Sequence, residues 1–308
     1  MKIVELSVGG KTFVAGEYLA LTGGPALMLA TDPRFQMEVF KDGGNADNVF
    51  HPDSPAGKFW DKHKDFFSQF HLKFSDPYQV GGFGASSAQF ALLHSFWQLK
   101  DKVFVEAERF YDWHLMLQDY RELGDQGSGF PPSGADVVGA CAGGLTWFDR
   151  GNGKVQTFSW PFFEIDFFVV HTGSKLATHE HLKNLGQFPT AGFENAMKKV
   201  QTGLSQVHFE TFLQGLQDYK AELKAQNRIL LETDQKVQSL EAHSEILFAK
   251  GCGAMGSDVI FLLCKRENMA AVQQILQSAN LKIMAETSKI SRSLHVQNVR
   301  TGEAELTL

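Results

Sequence analysis

The chain has 308 residues, a length that accommodates two domains of ordinary size or one large one. Its net charge of −6 argues against a dedicated nucleic-acid-binding protein, which usually carries a basic face. No apolar run reaches the ~18 residues of a membrane-spanning helix, and the first ten residues contain too little apolar sequence for a signal peptide. The three cysteines lack the spacing of a zinc site or a disulfide framework, which indicates reduced thiols in a cytoplasmic protein.

The N-terminal half mixes strand and helix signals. Residues 2–8 alternate apolar and polar side chains and 11–15 form a further extended run, which predicts two strands joined by a turn at Gly9 and Gly10. Residues 32–60 are polar and rich in Gly, Asn and Asp, which predicts loops and edge strands. Apolar residues at helical spacing predict helices at 56–70, 88–99 and 103–123.

The C-terminal half changes character. Two short strands are predicted within 155–171, and helices dominate from about 176 to 248. A glycine-rich turn at 251–256 then leads into the apolar strand VIFLLC. The last predicted elements are a helix at 267–279 and strands at 281–287 and 293–297.

The turn GGFGASS at 81–87 opens directly into a helix. The first N–H groups of a helix have no intrahelical partner and carry partial positive charge, and glycines let a phosphate approach the backbone closely. A serine hydroxyl there can also bind Mg²⁺. The pattern alone is weak, because Gly-Ser turns also cap helices that bind nothing. No Walker A lysine follows, and the G-x-G-x-x-G spacing fails.

Three charged residues are candidates for chemistry. Asp136, after the loop PPSGA, can orient or deprotonate an acceptor hydroxyl, although an aspartate there is also an ordinary helix cap. Lys11, with Glu17 nearby, can neutralise phosphate charge, although a lone strand lysine is usually solvated. The turn at 251–256 either braces phosphates or acceptor, or simply joins two elements. The histidines show no zinc-binding spacing.

These signals gain weight from their order. The chain reads G-K-x-x-x-x-G-E-Y, then G-x-G-A-S-S-A, then P-S-G-x-D, then K-G-x-G-A-x-G-S-D, between residues 9 and 262. This order resembles the motifs of the GHMP kinases, which include galactokinase, homoserine kinase, mevalonate kinase and phosphomevalonate kinase. The resemblance implies an α+β fold with a domain like the second domain of ribosomal protein S5 at 1–157 and a ferredoxin-like domain at 158–308. The active site would lie between them.

The resemblance also implies a role for individual residues. The catalytic pair would be Asp136 and Lys11, with ATP and Mg²⁺ as cofactors. The ATP phosphates would lie against Gly82, Gly84, Ala85, Ser86 and Ser87. The Mg²⁺ ligands would be Ser86 or Ser87, together with Asp125. The acceptor would contact Glu17, Ser133, Gly134, Gly253 and Ala254.

Several positions depart from the family pattern. Ala85 alters the second motif, so the sequence leaves open which serine meets the metal. Met255 stands where the third motif usually has glycine, and Asp125 is shorter than the usual glutamate.

The acceptor is the least determined feature. Tyr18 and the segment SGADVVGACAGG are similar to phosphomevalonate kinases, whereas Pro132-Ser133-Gly134 and the short chain favour mevalonate kinases. We expect 5-phosphomevalonate as acceptor, with Lys175 and Lys183 as candidates for its phosphate. The alternatives are mevalonate as acceptor, a non-catalytic GHMP-fold binding protein, and a decarboxylase of mevalonate diphosphate. A homodimer is compatible with the sequence.

Overall fold

The computed structural model describes residues 1–41, 47–99, 113–124, 131–173, 186–256, 259–298 and 305–307. Its strands are β1 (Lys2–Ala15), β2 (Pro25–Phe40), β3 (His71–Ser75), β4 (Leu145–Asp149), β5 (Lys154–Phe158), β6 (Ile165–His171), β7 (Ile246–Cys252), β8 (Val259–Lys265), β9 (Lys282–Glu286), β10 (His295–Asn298) and β11 (Glu305–Thr307). Its helices are α1 (Pro55–Lys62), α2 (Lys64–Phe67), α3 (Ala85–Gln98), α4 (Trp113–Gly124), α5 (Ala135–Ala142), α6 (Ala191–Ser205), α7 (Phe209–Ala225), α8 (Leu231–Glu241) and α9 (Met269–Ser278).

Two antiparallel sheets with packed helices give the α+β class that the sequence predicted. The first sheet has the order β11-β10-β1-β2-β4-β5, with β3 also pairing with β2, and the second has the order β7-β8-β6-β9. The predicted boundary after residue 157 cuts β5 one residue before its end, and β10 and β11 return to the first sheet. The division into two domains therefore stays a prediction.

β1 runs without interruption through Gly9 and Gly10, so the turn predicted there is wrong. A Cβ atom at Gly10 would lie 2.4 Å from the Tyr78 hydroxyl, and one at Gly9 would lie 2.6 Å from Cβ of Ser291. The two glycines thus permit close packing on a strand, which is a common reason for glycine inside a sheet.

β2 is also longer than the sequence indicated. It continues through Phe40 and pairs with β1 along most of its length, so the prediction of loops and edge strands is wrong for residues 32–40. Phe35, Met37 and Val39 alternate with more exposed residues and are buried. This alternation is the pattern of a strand with one face in the core.

The abundance of phenylalanine has a structural explanation. Among the described residues, eleven of the twelve largest fully buried side chains are phenylalanines. The main core cluster contains residues of both sheets and of the C-terminal helices, such as Leu6, Phe167 and Phe193. No helix in the described ranges combines the length and the apolarity needed to cross a bilayer.

Candidate active site

The glycine-rich turn before α3 is attached to β1. The backbone N–H of Lys11 donates to the carbonyl of Phe83 at 2.9 Å. Gly84, with φ of +80°, is the N-cap, and its carbonyl accepts the N–H of Ala88 at 2.8 Å. The N–H groups of residues 85–87 therefore precede the first intrahelical bond, as at any open helix N-terminus. This local geometry suits an anionic ligand.

Lys11 and the two serines surround this turn. A Cβ atom at Gly84 would lie 2.9 Å from Cε of Lys11 and 2.8 Å from Oγ of Ser87, so both side chains pack directly against this glycine. Nζ of Lys11 lies 4.6 Å from the ring centroid of Phe13. The Ser87 hydroxyl is buried and donates to the Gly84 carbonyl at 2.8 Å, whereas Ser86 is exposed. The structure thus brings the lysine and the predicted phosphate turn together.

Asp136 lies in the first turn of α5, where Gly134 with φ of +79° is the N-cap. A Cβ atom at Gly134 would lie 2.4 Å from Leu117, and the Ser133 hydroxyl accepts the N–H of Ala135 at 3.2 Å. These contacts explain why the P-S-G-x-D pattern has a serine and a glycine at these positions. In this structure Ser133 and Gly134 shape the loop that presents Asp136.

The carboxylate of Asp136 accepts a hydrogen bond from the Tyr120 hydroxyl, at 3.0 Å from Oδ2. Burial, together with the charge of Asp136, raises the pKa of Tyr120 well above its ordinary value. Tyr120 therefore stays a protonated donor at any physiological pH. Its ring also packs on Phe90 of α3, with centroids 5.0 Å apart.

The helix that carries Tyr120 is held by a buried polar cluster. Asp119 lies 3.2 Å from Nε2 of the fully buried His94 and 2.8 Å from Nζ of Lys62. Burial alone would raise the pKa of Asp119, but hydrogen bonds from His94 and Lys62 outweigh it and lower the pKa below its ordinary value. This cluster connects α4 to α1 and α3 and so fixes the position of Tyr120.

Glu17 forms an ion pair with Lys250 that joins the two sheets. Nζ of Lys250 lies 2.7 Å from Oε1 of Glu17 and 3.1 Å from the carbonyl of Gly251. The lysine side chain is completely buried, and Oε2 of Glu17 has no hydrogen-bond partner among the described residues. Burial lowers the pKa of Lys250, but the charge and the hydrogen bond of Glu17 outweigh this effect, so the pKa lies above its ordinary value.

The third glycine-rich turn follows Lys250 directly. Gly253 has φ of +93°, and its carbonyl accepts the N–H of Gly256 at 3.0 Å, with Ala254 between them in the same turn. Met255 has φ of +53°, a left-handed conformation that glycine adopts without strain. Its carbonyl accepts the N–H of Leu230 at 3.0 Å. The methionine thus keeps the backbone conformation that a glycine there would favour.

Three predicted residues, Asp125, Lys175 and Lys183, lie outside the described residues. Within the described ranges, no group of three or more His, Cys, Asp or Glu side chains is placed to hold a metal ion. The predicted Mg²⁺ ligands that can be located are therefore Ser86 and Ser87, and only the Ser86 hydroxyl is exposed.

The sequence missed the side chains that hold the site residues in place. Lys250 had a usable signal, because a lysine inside the apolar strand ILFAKGC requires a buried partner. Tyr120 and Asp119 had none, because only the packing of α4 brings them to Asp136 and to His94.

The sequence matches no family model and no curated protein. In three dimensions, the chain has the fold of the GHMP small-molecule kinases, which confirms the predicted resemblance at the level of fold. Phosphomevalonate kinase of Streptococcus pneumoniae, solved with phosphomevalonate and AMPPNP, is 17% identical with a TM-score of 0.72, covering 92% of this chain and 98% of that chain. Mevalonate kinase of Methanococcus jannaschii is 14% identical with a TM-score of 0.68, covering 94% and 98%. Galactokinase of Lactococcus lactis, solved with galactose, is 12% identical with a TM-score of 0.72, covering 94% of both chains.

Proposed function

We propose that this protein is an ATP-dependent kinase of the mevalonate pathway that phosphorylates 5-phosphomevalonate. The observation that carries the proposal is the packing of Lys11 against Gly84 at the open N-terminus of α3. A cation and free backbone N–H groups at one place are what a transferring phosphoryl group requires. The likeness to phosphomevalonate and mevalonate kinases supports the same activity.

The residues of the α3 turn fit the phosphates of ATP. The N–H groups of residues 85–87 precede the first intrahelical bond of α3, and Lys11 packs beside them at Gly84, so the turn offers backbone donors and a cation to a phosphate. The exposed hydroxyl of Ser86 is the hard oxygen ligand that Mg²⁺ prefers, and Asp125 would add a carboxylate. ATP with Mg²⁺, when bound, would supply the phosphoryl group and offset part of its charge.

The protein side chains then have separate tasks. Asp136 orients the acceptor oxygen and, for a hydroxyl acceptor, takes its proton. Tyr120 holds the Asp136 carboxylate, and Lys11 offsets charge that develops on the transferring group. A phosphate monoester needs no strong base, so with 5-phosphomevalonate Asp136 mainly orients the acceptor.

The preference for 5-phosphomevalonate rests on the Gly16-Glu17-Tyr18 motif and on the segment around Asp136. Mevalonate is the alternative acceptor, because kinases of both kinds share this fold. Galactokinase has it as well, so the fold by itself does not choose the acceptor. A non-catalytic binding protein is the alternative of another class, favoured by Ala85 and Met255 but opposed by the retention of Lys11 and Asp136.

The proposal is tested by ADP release from ATP with Mg²⁺, with mevalonate and 5-phosphomevalonate supplied side by side. We expect turnover on 5-phosphomevalonate, and a loss on the order of 10²-fold in Asp136→Ala, the cost of a misplaced acceptor. Asp65→Ala, which removes an exposed carboxylate on α2, is the control and should behave as wild type. Near-normal turnover by Asp136→Ala would contradict the assigned role, and binding of ATP without turnover on either acceptor would favour the non-catalytic alternative.

A further inference from the structure

Arg228 has aromatic contacts but no ion pair in the described part of the chain. Its guanidinium carbon lies 5.4 Å from the ring centroid of Tyr18 and 5.0 Å from that of Phe188. The two rings meet edge to face with centroids 6.1 Å apart. Nε of Arg228 is buried without a hydrogen-bond partner, and neither terminal nitrogen donates to a described residue. The cation is therefore held by rings and left without an anion.

The backbone of Arg228 is fixed by the end of α7. Asn227 has φ of +55° and donates its N–H to the carbonyl of Lys224 at 3.1 Å, and Arg228 donates to the carbonyl of Leu223 at 2.7 Å. This pair of bonds around a left-handed residue is the Schellman motif, which gives a helix end a defined geometry. Arg228 is thus presented in one direction before any ligand binds.

Arg228 lies where the first and third motifs meet. Tyr18, which its guanidinium contacts, follows Glu17 of the first motif. Leu230, two residues after Arg228, donates to the carbonyl of Met255 in the third motif. The acid next to Tyr18 does not neutralise the arginine, because Glu17 pairs with Lys250 at 2.7 Å. Both motifs are the ones predicted to contact the acceptor.

We propose that Arg228 binds the carboxylate of the acceptor, at the end remote from the oxygen that is phosphorylated. The planar guanidinium offers parallel N–H donors that match a carboxylate, and stacking on two rings keeps its orientation. This inference rests on the proposed function. It holds for either acceptor considered above, because mevalonate and 5-phosphomevalonate both carry this carboxylate, and it excludes uncharged sugars.

The experiment uses mevalonate and 5-phosphomevalonate, each compared with the analogue in which a neutral carboxamide replaces the carboxylate. Both comparisons are made in wild type and in Arg228→Met. We expect wild type to prefer the acid in kcat/KM by about 10- to 100-fold, the range of one charge-assisted contact. In Arg228→Met the KM for the acid should rise by this factor, while the KM for ATP and the values for the amide stay unchanged. Lys265→Met, which removes an exposed cation at the opposite end of β8 from the third motif, is the control.

Calorimetric titration of the acid in the presence of AMPPNP gives the same comparison without turnover. If Arg228→Met does not fold, Arg228→Gln, which removes the charge but keeps a polar side chain, serves in its place. Unchanged discrimination between acid and amide in a folded variant would overturn the role of Arg228 while the kinase activity stands. Failure of wild type to bind or phosphorylate either acid would instead overturn the proposed acceptor class, and this inference with it.

Discussion

Ser86 and Ser87 are adjacent in the sequence, but their hydroxyls have different surroundings. The Ser87 hydroxyl is buried and donates to the Gly84 carbonyl, whereas Ser86 is exposed on the first turn of α3. A buried hydroxyl already engaged with the backbone contributes mainly to the shape of the turn. The exposed one is the better candidate for a metal ligand.

We therefore expect Ser86→Ala to lower kcat/KM for ATP about tenfold or more, and to raise the Mg²⁺ concentration needed for half-maximal rate. Ser87→Ala should lower the free energy of unfolding by about 1 kcal/mol and leave the Mg²⁺ dependence unchanged. Steady-state kinetics over a Mg²⁺ titration and urea unfolding separate the two effects. The opposite result, with Ser87→Ala altering the Mg²⁺ dependence, would reverse the assignment.

Tyr120 acts on the proposed chemistry only through Asp136, so it is a positioning residue. Tyr120→Phe removes the 3.0 Å hydrogen bond to the carboxylate and keeps the ring that packs on Phe90. We expect kcat to fall about tenfold, since a hydrogen bond to a charged group contributes about 1.5–3 kcal/mol, with the KM for ATP unchanged. A purely structural role would lower the unfolding midpoint and leave kcat unaltered.

At the residue scale, the resemblance assigned Lys11 and the α3 turn to one active site, and in the structure Lys11 packs on Gly84 of that turn, while the roles of these residues stay predictions. That assignment came from the order of the motifs. Each motif contains glycines, and because glycine is favoured at positive φ, turns of this kind can be recognised in a sequence. Arg228 and Tyr120 belong to no such motif. Their positions depend on how helices pack, which no local pattern in the sequence encodes.

At the scale of elements, the helices were predicted better than the long strands. The apolar spacing of α3 and α9 is a local property, and these helices lie where the spacing placed them, whereas the helix predicted at 56–70 divides into α1 and α2 and ends at Phe67. The continuity of β1 through Gly9 and Gly10 depends instead on Tyr78 and Ser291, which are distant in the sequence. A glycine pair that permits close packing has the same local signal as a turn.

The position of α4 depends on Asp119, whose pKa is lowered in the folded protein. The carboxyl in the unfolded chain titrates at about pH 3.9, so the contribution of Asp119 to stability is fully present above that pH. The contribution is lost as the pH falls through the lower pKa of the folded state. Acid should therefore loosen the contacts of α4 with Lys62 and His94.

Asp119→Asn tests this at the level of the element. We expect the free energy of unfolding to fall by about 1–3 kcal/mol at neutral pH, because Lys62 and His94 lose a charged acceptor. The difference from wild type should shrink as the pH falls below about 4. Urea unfolding at a series of pH values provides the measurement, and parallel pH dependences of the two proteins would show that Asp119 makes no titrating contribution.

At the scale of the whole molecule, the two sheets are joined at several places. The main core cluster includes residues from both, and β10 returns the chain to β1. Arg34 on β2 reinforces this return, because it donates to the Ser291 hydroxyl at 2.6 Å and to the carbonyls of Arg292 and Ser293 at 2.9 and 2.8 Å. The buried pair of Glu17 and Lys250 adds a charged connection next to the proposed acceptor site.

That pair allows structural and functional roles of Glu17 to be separated. Lys250→Met leaves the buried Glu17 carboxylate without its cation, which should cost about 3–5 kcal/mol of unfolding free energy. In the double variant Glu17→Leu and Lys250→Met, no buried charge is stranded, and we expect most of the lost stability to return. Urea unfolding followed by tryptophan fluorescence and by far-UV circular dichroism measures both variants.

If Glu17 also contacts the acceptor, as the first motif implies, the double variant should be stable but should bind the acceptor weakly. In the wild type, Oε2 of Glu17, which has no partner among the described residues, is the atom that a hydroxyl of the acceptor would meet. A double variant that regained both stability and acceptor affinity would show that the ion pair serves only to join the sheets. With Glu17→Leu measured alone to complete the cycle, single-variant costs that simply add in the double variant would show that the two charges do not stabilise each other at all.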